Sequence, residues 1–502
     1  MSRPATELIR RGVARAGIRH ELDADGWLAL RDALAEEPEL DFLGLWAEEG
    51  AVHAAFHGPD GVLLATLPVT GGAFPALSPA RPAAAWFERA VADLWGRRAE
   101  GGTDGRPWLD HGRWAVTAPL SSRPAPNTSE PPQPVFLPAT GPGVHQVPVG
   151  PIHAGVIEPG HFRFHVQGET VVRLEARLGY AHKGTLGLMR GKSPRAAARF
   201  AARISGDSTV AHSWAFAAAA EAALGVKPPP RALLLRGLMA ELERIANHLN
   251  DWGALCGDAA FAWPQARCGV LREGLLRAQE AAFGHRLMMD RVVPGGVSID
   301  IARSGPDRLR AALAGIGDGL PALRRITEEQ ASLQDRLSGT GVLRPELAAR
   351  FAAGGFVGRA SGRDFDARRN GAYPPYDSLA FEVPVLQAGD VEARLAIRVA
   401  ELEQSLALAE TLMARLEPGE TLVAPPPEAM RAGEGVALVE GFRGDVLCWM
   451  ALDEAGLIRA CFSRDPSWLH WPLLEAAVEG NILADFPLCN KSFNASYSGV
   501  DL

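Results

Sequence analysis

Cysteine is scarce in this sequence, and the few cysteines are not paired. The 502 residues include five of them, and no two have the CxxC or CxxH spacing of a metal or redox motif. An odd number of widely spaced cysteines argues against a disulfide framework and against a zinc or iron–sulfur site built by this chain alone. We therefore expect isolated core residues at these five positions: Cys256, Cys268, Cys448, Cys461 and Cys489.

Long apolar runs and a strong net charge are also missing. No segment reaches the roughly 18 uncharged apolar residues of a membrane span. The most apolar segment, residues 214–226, is interrupted by Glu221 and predicts a buried helix. The 51 basic and 59 acidic residues give a net charge of −8, which is too small and too evenly mixed for a nucleic-acid groove. We expect no nucleic-acid partner.

Targeting and nucleotide motifs are absent as well. Residues 1–20 carry several arginines but no apolar core of a secretory signal, so we expect a cytoplasmic protein. There is no glycine-rich dinucleotide fingerprint and no P-loop. Direct binding of NADH or ATP by this chain is therefore not expected.

What is present predicts an α+β fold in two parts. Residues 1–117 mix a strand pattern at 62–69 with a helical pattern at 82–95, which indicates a small α+β domain. Ten prolines within residues 119–151 remove amide donors and predict an extended linker over residues 118–150. Residues 151–502 then form the second, larger domain.

The sequence pattern of the second domain predicts a mainly helical structure. Ser193 and Pro194 supply a helix start, and the alanine-rich run that follows predicts one long helix ending at Gly225. Apolar spacing predicts further helices at residues 231–255, 270–289, 306–337 and 391–416. A late strand pair is expected within residues 440–462.

Six segments of this domain, in order, carry a resemblance. They are GPIHAGVIEPGHFRF (150–164), LGYAHKG (178–184), ELERIANHLNDWGALCGD (241–258), GRASGRDFDARR (358–369), EGFRGD (440–445) and DFPLCNKSFNASYSG (485–499). Together they resemble the large subunit of group 4 nickel–iron hydrogenases and the 49 kDa subunit of respiratory complex I. Residues 86–96 and 103–109 are similar to the 30 kDa subunit of complex I, fused ahead of the large subunit as in formate hydrogenlyase.

The sequence departs from the hydrogenases where they bind metal. The resemblance implies two CxxC pairs, because four soft thiolates hold nickel and iron. At those positions this sequence has Ser205, Ser208, Ser496 and Gly499. A hydroxyl is a poor nickel ligand and glycine offers none, so we expect no nickel–iron site.

Two further hydrogenase features are replaced. The carboxylate that the resemblance places in the proton exit is Leu186 here. The sequence ends at Leu502, three residues beyond Gly499, so we expect neither a C-terminal histidine ligand nor a cleaved extension. The complex I subunit lacks the same cysteines, and there the metal-free cavity accepts a quinone headgroup.

The resemblance to complex I implies catalytic residues for quinone reduction. Tyr180 matches the tyrosine and Asp258 the aspartate behind the loop histidine, and that histidine is His153 or His161. Two electrons and two protons reduce a quinone, and tyrosine and histidine are suited to supply the protons. The residue types alone also allow structural roles. Tyr180 can cap the end of a strand or helix with its hydroxyl, and Asp258 can belong to a turn at a helix C-terminus.

The remaining candidates are interpreted as cofactor-binding residues. His182 lies near Tyr180, Ser496 belongs to the emptied metal site, and Arg359 stands among glycines where a guanidinium can approach a partner's iron–sulfur cluster. The alternatives are a core histidine for His182 and a solvated loop for Arg359. His248 reads as a core histidine that pairs with Glu241 or Arg244 at helical spacing.

Two function classes follow from the resemblance. In the first, this chain is an electron-transfer subunit of a membrane-associated complex-I-like or hydrogenase-related oxidoreductase, and it reduces quinone with electrons from an iron–sulfur small subunit. In the second, it is a non-catalytic scaffold that couples that subunit to an ion-pumping membrane arm. Either implies no cofactor bound by this chain, membrane-arm partners, and a place on the inner face of the cell membrane through those partners.

Overall fold

The computed structural model describes residues 4–15, 18–155, 157–426 and 431–502. Its strands are β1 Val13–Arg15, β2 Arg19–Glu21, β3 Asp41–Glu48, β4 Ala51–Gly58, β5 Gly61–Pro68, β6 Ala73–Pro75, β7 Arg98–Glu100, β8 Val116–Thr117, β9 Ala125–Pro126, β10 Val144–Val149, β11 His161–Gln167, β12 Thr170–Arg177, β13 Val292–Val293, β14 Gly296–Val297, β15 Gly433–Gly441, β16 Gly444–Leu452 and β17 Ile458–Arg464.

The helices are longest in the second half of the chain. They are α1 Ala5–Arg11, α2 Ala24–Glu36, α3 Ala84–Trp95, α4 Thr185–Met189, α5 Pro194–Ala201, α6 Thr209–Leu224, α7 Pro230–Asp258, α8 Ala262–Phe283, α9 Gly305–Glu329, α10 Ala331–Leu337, α11 Pro345–Arg350, α12 Gly355–Ala360, α13 Ala367–Asn370, α14 Val391–Ala414, α15 Ser467–Val478, α16 Phe486–Phe493 and α17 Ser498–Asp501. The predicted α+β class is confirmed.

The N-terminal region is a five-stranded sheet in the order β1-β2-β5-β4-β3, with β2 and β5 parallel and the other neighbours antiparallel. Aromatic side chains join it to the sheet β15-β16-β17 near the C-terminus. Trp46 stacks on Phe462 at 4.9 Å between ring centroids, and Phe87 stacks on Trp468 at 4.6 Å. The hydrophobic core therefore continues across the two predicted domains.

Strand β16 is buried on both faces, and its side chains divide the interior into two cores. Leu447 and Trp449 face the aromatic core shared with the N-terminal sheet. Cys448 and Met450 face the helical core of α6, α7, α8, α9 and α14. Because successive strand residues point to opposite faces, a run that is apolar throughout is what a strand between two cores requires.

The single helix predicted for residues 193–225 is wrong. The chain forms α5 and α6, separated by a turn at residues 202–208. Thr209 Oγ1 donates to the carbonyl of Ala202 at 2.9 Å, and Lys183 Nζ donates to the carbonyls of Arg203 and Ile204 at 2.7 and 3.0 Å. These bonds take the carbonyls that a continuous helix would use internally. The predicted helix at 306–337 is likewise two helices, which meet at Gln330.

The proline-rich segment is largely exposed and is held to the surface at several points. Strand β10 pairs with β11 in an antiparallel three-stranded sheet. Leu137 N–H donates to Glu175 at 2.8 Å, and Arg163 lies over the Phe136 ring at 4.4 Å. The division into domains at residues 117 and 150 stays a prediction.

Among the residues described, no helix has both the length and the apolar character needed to cross a bilayer.

Candidate functional site

The four positions predicted to replace the hydrogenase cysteines lie together between the α5–α6 turn and the C-terminal segment. Ser205 and Ser496, 291 residues apart, have their hydroxyl oxygens 2.9 Å from each other. Gly499 N–H donates to Ser496 Oγ at 3.0 Å, and the Ser208 hydroxyl accepts from Arg443 at 3.0 Å. We call these four positions, with Asp207 and Arg443, the serine cluster.

Hydrogen bonds in the serine cluster run in one direction towards Asp207. A carboxylate only accepts, so Ser205 donates to Asp207 at 3.0 Å. Ser205 then accepts from Ser496, which itself accepts from the Gly499 amide. The result is a relay of two hydroxyls that ends on a carboxylate.

Arg443 neutralises that carboxylate. It projects from the hairpin between β15 and β16 and pairs with Asp207 at 2.6 Å. Burial opposes ionisation, but the guanidinium outweighs it and holds the pKa of Asp207 below its ordinary value. The Asp207 side chain nevertheless remains 39% exposed. The serine cluster therefore meets solvent through Asp207, while its serine side chains are buried.

The donors of the serine cluster do not fit a nickel–iron centre. It offers hydroxyls, a carboxylate and a guanidinium, and none of the five cysteines contributes to these contacts. A Cβ added at Gly499 would lie 2.8 Å from the Asp465 carboxyl carbon, so a thiolate side chain has no room there. Asp465 is itself fixed by His212, whose Nε2 donates to it at 2.8 Å.

Glu243 is a second buried carboxyl beside the serine cluster. It accepts from the amides of Val210 and Ala211 in the first turn of α6, at 2.7 and 3.1 Å. Burial raises the pKa of Glu243 to about 8 in spite of these two donors. Nearby Asp207 adds to the effect. Burial therefore favours the protonated form of Glu243 beside the serine cluster.

The turn that carries Tyr180 is fastened to the end of the chain. Asp501 accepts from the amides of Gly179 and Ala181 at 2.7 and 2.8 Å. The carbonyl of Asp501 accepts from His182 Nδ1 at 2.6 Å. Tyr180 itself is 40% exposed, with its ring 5.9 Å from that of His111. The turn is thus fixed while the Tyr180 side chain remains accessible.

The loop of residues 150–160, which carries His153, meets the C-terminal segment. Ser498 N–H donates to Glu158 at 3.1 Å, and Gly160 packs against the Tyr497 ring. Val156 in this loop lies outside the described residues. His153 donates from Nε2 to the Gly160 carbonyl at 2.7 Å. The predicted segments are brought together, but no described contact joins the side chains of Tyr180, His153 and Ser496.

His161 and Asp258 lie apart from one another in the structure. His161 is buried in β11, and its Nδ1 contacts the Gly150 carbonyl at 3.3 Å. Asp258 lies at the end of α7, where partial burial raises the pKa of its carboxyl and nearby Lys491 opposes the rise. Within the described part of the chain, no hydrogen bond or ion pair connects Asp258 with Tyr180 or His153.

Arg359 lies in the interior, contrary to the expectation that it faces a partner's cluster. It is fully buried on α12 and belongs to a closed ring of alternating charges that links α7, α12, α13 and α14. The ring runs through six side chains: Glu241, Arg368, Asp366, Arg359, Glu401 and Arg244. We call this the charge ring. Glycines in this segment allow close packing around buried arginines rather than a solvated loop.

Two further groups extend the charge ring. His248 donates from Nε2 to Glu401 at 2.9 Å, which replaces the partners predicted for it at helical spacing. Glu440 on β15 accepts from Arg359 at 3.1 Å and from the amide of Ala367 at 2.9 Å. The six segments that carry the resemblance contain His248, Arg359 and Glu440. The sequence pattern does not predict which residues of separate elements form pairs.

Comparison with known proteins identifies the family. Residues 264–431 match the family described as the 49 kDa subunit of respiratory-chain NADH dehydrogenase, and residues 183–257 match the nickel-dependent hydrogenases. An NADH-quinone oxidoreductase subunit of Gluconacetobacter diazotrophicus is 31% identical over 383 residues, which cover 71% of this chain and 92% of that protein. The chain belongs to the 49 kDa subunit and nickel-dependent hydrogenase family.

Other relatives match a longer part of this chain or have a solved structure. Formate hydrogenlyase subunit 5 of Escherichia coli is 28% identical over 437 residues, covering 85% of this chain and 77% of that protein. A protein in the structure of the membrane-bound sulfane sulfur reductase, an archaeal respiratory membrane complex, superposes with a TM-score of 0.67 at 26% identity, covering 72% of this chain and 99% of that one. These relatives are subunits of oxidoreductases.

Replacing Arg443 by methionine should lower the free energy of unfolding by about 1–2 kcal/mol near pH 7, because Asp207 then lacks its cation and is only partly solvated. The pKa of Asp207 is depressed in the folded protein. The stabilisation is therefore present above the ordinary carboxyl pKa of about 4 and is lost as the pH falls below it. Urea unfolding of Arg443→Met at pH 7 and at low pH measures both effects.

The control for this variant is Arg203→Met. Arg203 lies in the same α5–α6 turn as Asp207 and forms an exposed pair with Asp290, so its loss should change stability little. An equal, pH-independent loss in both variants would contradict the role assigned to Arg443.

Proposed function

We propose that this chain is the electron-transfer subunit of a membrane-associated oxidoreductase of the complex-I-like or energy-converting-hydrogenase-related kind, that it reacts with quinone, and that it holds no nickel–iron centre. The observation that carries the proposal is the serine cluster, where buried hydroxyls stand at the positions predicted to replace thiolates and are linked to Asp207, whose side chain is partly exposed. Hydrogen-bond donors of this kind suit an organic acceptor better than a soft metal.

The partners follow from the relatives. Their names include a formate hydrogenlyase subunit, an NADH-quinone oxidoreductase subunit and a protein of an archaeal respiratory membrane complex. We infer for this chain an iron–sulfur small subunit that supplies electrons and a membrane arm that anchors the assembly. The exposed side chains of Ile152, at 77%, and Ile157, at 36%, lie on the loop beside the C-terminal segment and support a covering partner there.

The residues proposed for quinone chemistry are Tyr180, His153 and Asp258, with His182 and Ser496 as supporting cofactor-binding residues. Tyr180 and His153 sit on the two segments that meet the C-terminal segment. Their hydroxyl and imidazole groups can donate to quinone carbonyls and be reprotonated from solvent. Ser496 adds a hydroxyl that is already part of the relay to Asp207.

One observation favours the scaffold alternative. Arg443 and Asp207 pair directly inside the serine cluster, so a reactant entering there must displace or share these groups. In the scaffold role, the pair would only join the β15–β16 hairpin to the α5–α6 turn. Electron transfer to quinone separates the two functions.

The decisive experiment is to purify the chain with its natural partners. Elemental analysis should find no stoichiometric nickel, and the reduced iron–sulfur cluster of the partner should pass electrons to added quinone. One nickel per complex together with hydrogen-dependent dye reduction would overturn the nickel-free proposal. An intact, reducible complex that leaves quinone unreduced would leave the scaffold function in its place.

A further inference from the structure

The positive and negative charges of the charge ring balance one another, which leaves the Glu440 carboxyl without a counter-charge of its own. The ring contains three guanidinium groups and three carboxylates, all at most 3% exposed. Glu440 is a fourth carboxyl in the same enclosure, at 1% exposure, and it shares Arg359 with Glu401 and Asp366. Because an uncompensated buried charge is costly, the enclosure favours one bound proton.

The groups around Glu440 explain why the proton binds to Glu440 rather than to one of the three carboxylates of the charge ring. Arg359 is the guanidinium that donates to Glu440, and it is already engaged at 2.7 Å by Glu401. The charged and titratable groups of the neighbouring elements are Arg244, Glu241 and His248 on α7, Glu401 on α14, Asp366, Arg368, Tyr373 and Tyr376 in and after α13, and Asp445 on β16. Burial lowers the pKa of His248, which disfavours a fourth positive charge in the enclosure. Arg464 is paired with Asp445, so its guanidinium does not serve as a counter-charge for Glu440.

The β15–β16 hairpin places Glu440 close behind the serine cluster. Arg244 donates to the carbonyls of Glu440 and Gly441 at 3.1 and 2.8 Å, which fixes the start of the hairpin. Two residues further along, Arg443 reaches Asp207. Because Glu440 and Arg443 are both buried and only three residues apart in the chain, a change of charge at the serine cluster acts on Glu440 with little screening by water.

We propose that Glu440 is an exchangeable proton site of the charge ring, and that it binds a proton from water when an electron arrives at the acceptor in the serine cluster. The second half rests on the proposed function, whereas the first half rests on the ring alone. At a pH at which part of the Glu440 population is ionised, the partner's reduced iron–sulfur cluster gives one electron to the acceptor. The ionised Glu440 carboxylate then takes up one proton from water and becomes the carboxylic acid. The added negative charge is thereby compensated.

Burial raises the pKa of Glu440 to about 7, with Asp366 adding to the shift and Arg359 opposing it. The group is thus poised near neutral pH. Since the folded pKa lies above the ordinary glutamate value of about 4.3, its contribution to stability is fully present below that value and is lost as the pH rises through about 7.

The first test compares thermal unfolding of the whole complex carrying wild-type Glu440 or Glu440→Gln. The Tm difference, variant minus wild type, should rise by about 2–5 °C between pH 5 and pH 8, because only the wild type must ionise a buried group. The change with pH is the readout, so a constant loss from the altered hydrogen bond does not matter. A difference that stays flat between these pH values overturns the proton site.

The matched control is Glu221→Gln, outside the charge ring. Glu221 is a buried carboxylate paired directly with Arg236 at 3.0 Å. Its neutralisation should lower Tm by a similar amount at both pH values. If Glu440→Gln behaves in the same way, Glu440 is an ordinary ion-paired carboxylate and the proposal is wrong.

The second test addresses the link to electron transfer. Infrared difference spectra of the reduced minus oxidised complex, with a short-chain ubiquinone present, should show a new carboxylic-acid carbonyl band that Glu440→Gln removes. Quinone reduction is measured on the same samples. Failure of the wild type to reduce quinone contradicts the proposed function and leaves the Tm result standing. Quinone reduction without the band contradicts the redox link.

Discussion

Replacing Arg359 by methionine should destabilise the protein by about 3–5 kcal/mol, the usual cost of removing one partner from a buried ion pair. Arg359 bonds Glu401 at 2.7 Å and Glu440 at 3.1 Å and lies 3.5 Å from Asp366. Methionine fills similar space but leaves these carboxyls without their shared cation. Urea unfolding of the variant at pH 7 measures the loss.

Arg369→Met is the control for this variant, since Arg369 is 38% exposed in the neighbouring segment and pairs with exposed Asp364. Its loss should cost well under about 1 kcal/mol. A similarly small change for Arg359→Met would mean that the charge ring does not stabilise the fold.

Replacing Tyr180 by phenylalanine should slow electron transfer from the partner's cluster to quinone by about a hundredfold. The ring is kept, but one hydrogen-bond donor to the developing charge on the quinone oxygen is lost, which is worth roughly 3 kcal/mol. His153→Ala removes the second proposed donor and should act in the same direction. The rate is measured on the assembled complex, with subunit content checked in parallel.

Tyr497→Phe provides a matched control for the tyrosine. Tyr497 lies in the same C-terminal segment, but it is buried and its hydroxyl contacts Asn490 only loosely, at 3.4 Å. It should assemble and react nearly as the wild type does. Unchanged rates in both Tyr180→Phe and His153→Ala, with the complex intact, would leave the scaffold function as the better one.

The local elements were largely predictable from local signals. The strand pattern at 62–69 predicted the strand observed as β5, and apolar residues at helical spacing predicted the helices observed as α7 and α14. Ser193 acts as an N-cap, accepting from Ala196 N–H at 3.3 Å. The break between α5 and α6 was missed because hydrogen bonds from Thr209 and from Lys183 maintain it. Lys183 lies outside both helices, so the helical spacing of apolar residues cannot indicate its bond.

The candidate site likewise has features that the sequence predicts and features that only the tertiary structure reveals. The sequence by itself determined that serine and glycine stand at the four positions where the resemblance predicts cysteines, since residue identity decides which side-chain ligands exist. Only the tertiary structure decided that Arg443 and Asp207 join them, that Arg359 is buried, and that Glu440 is the unbalanced carboxyl of the charge ring. These facts depend on pairing between side chains from separate elements, often more than a hundred residues apart, and on their removal from water, which no local pattern encodes.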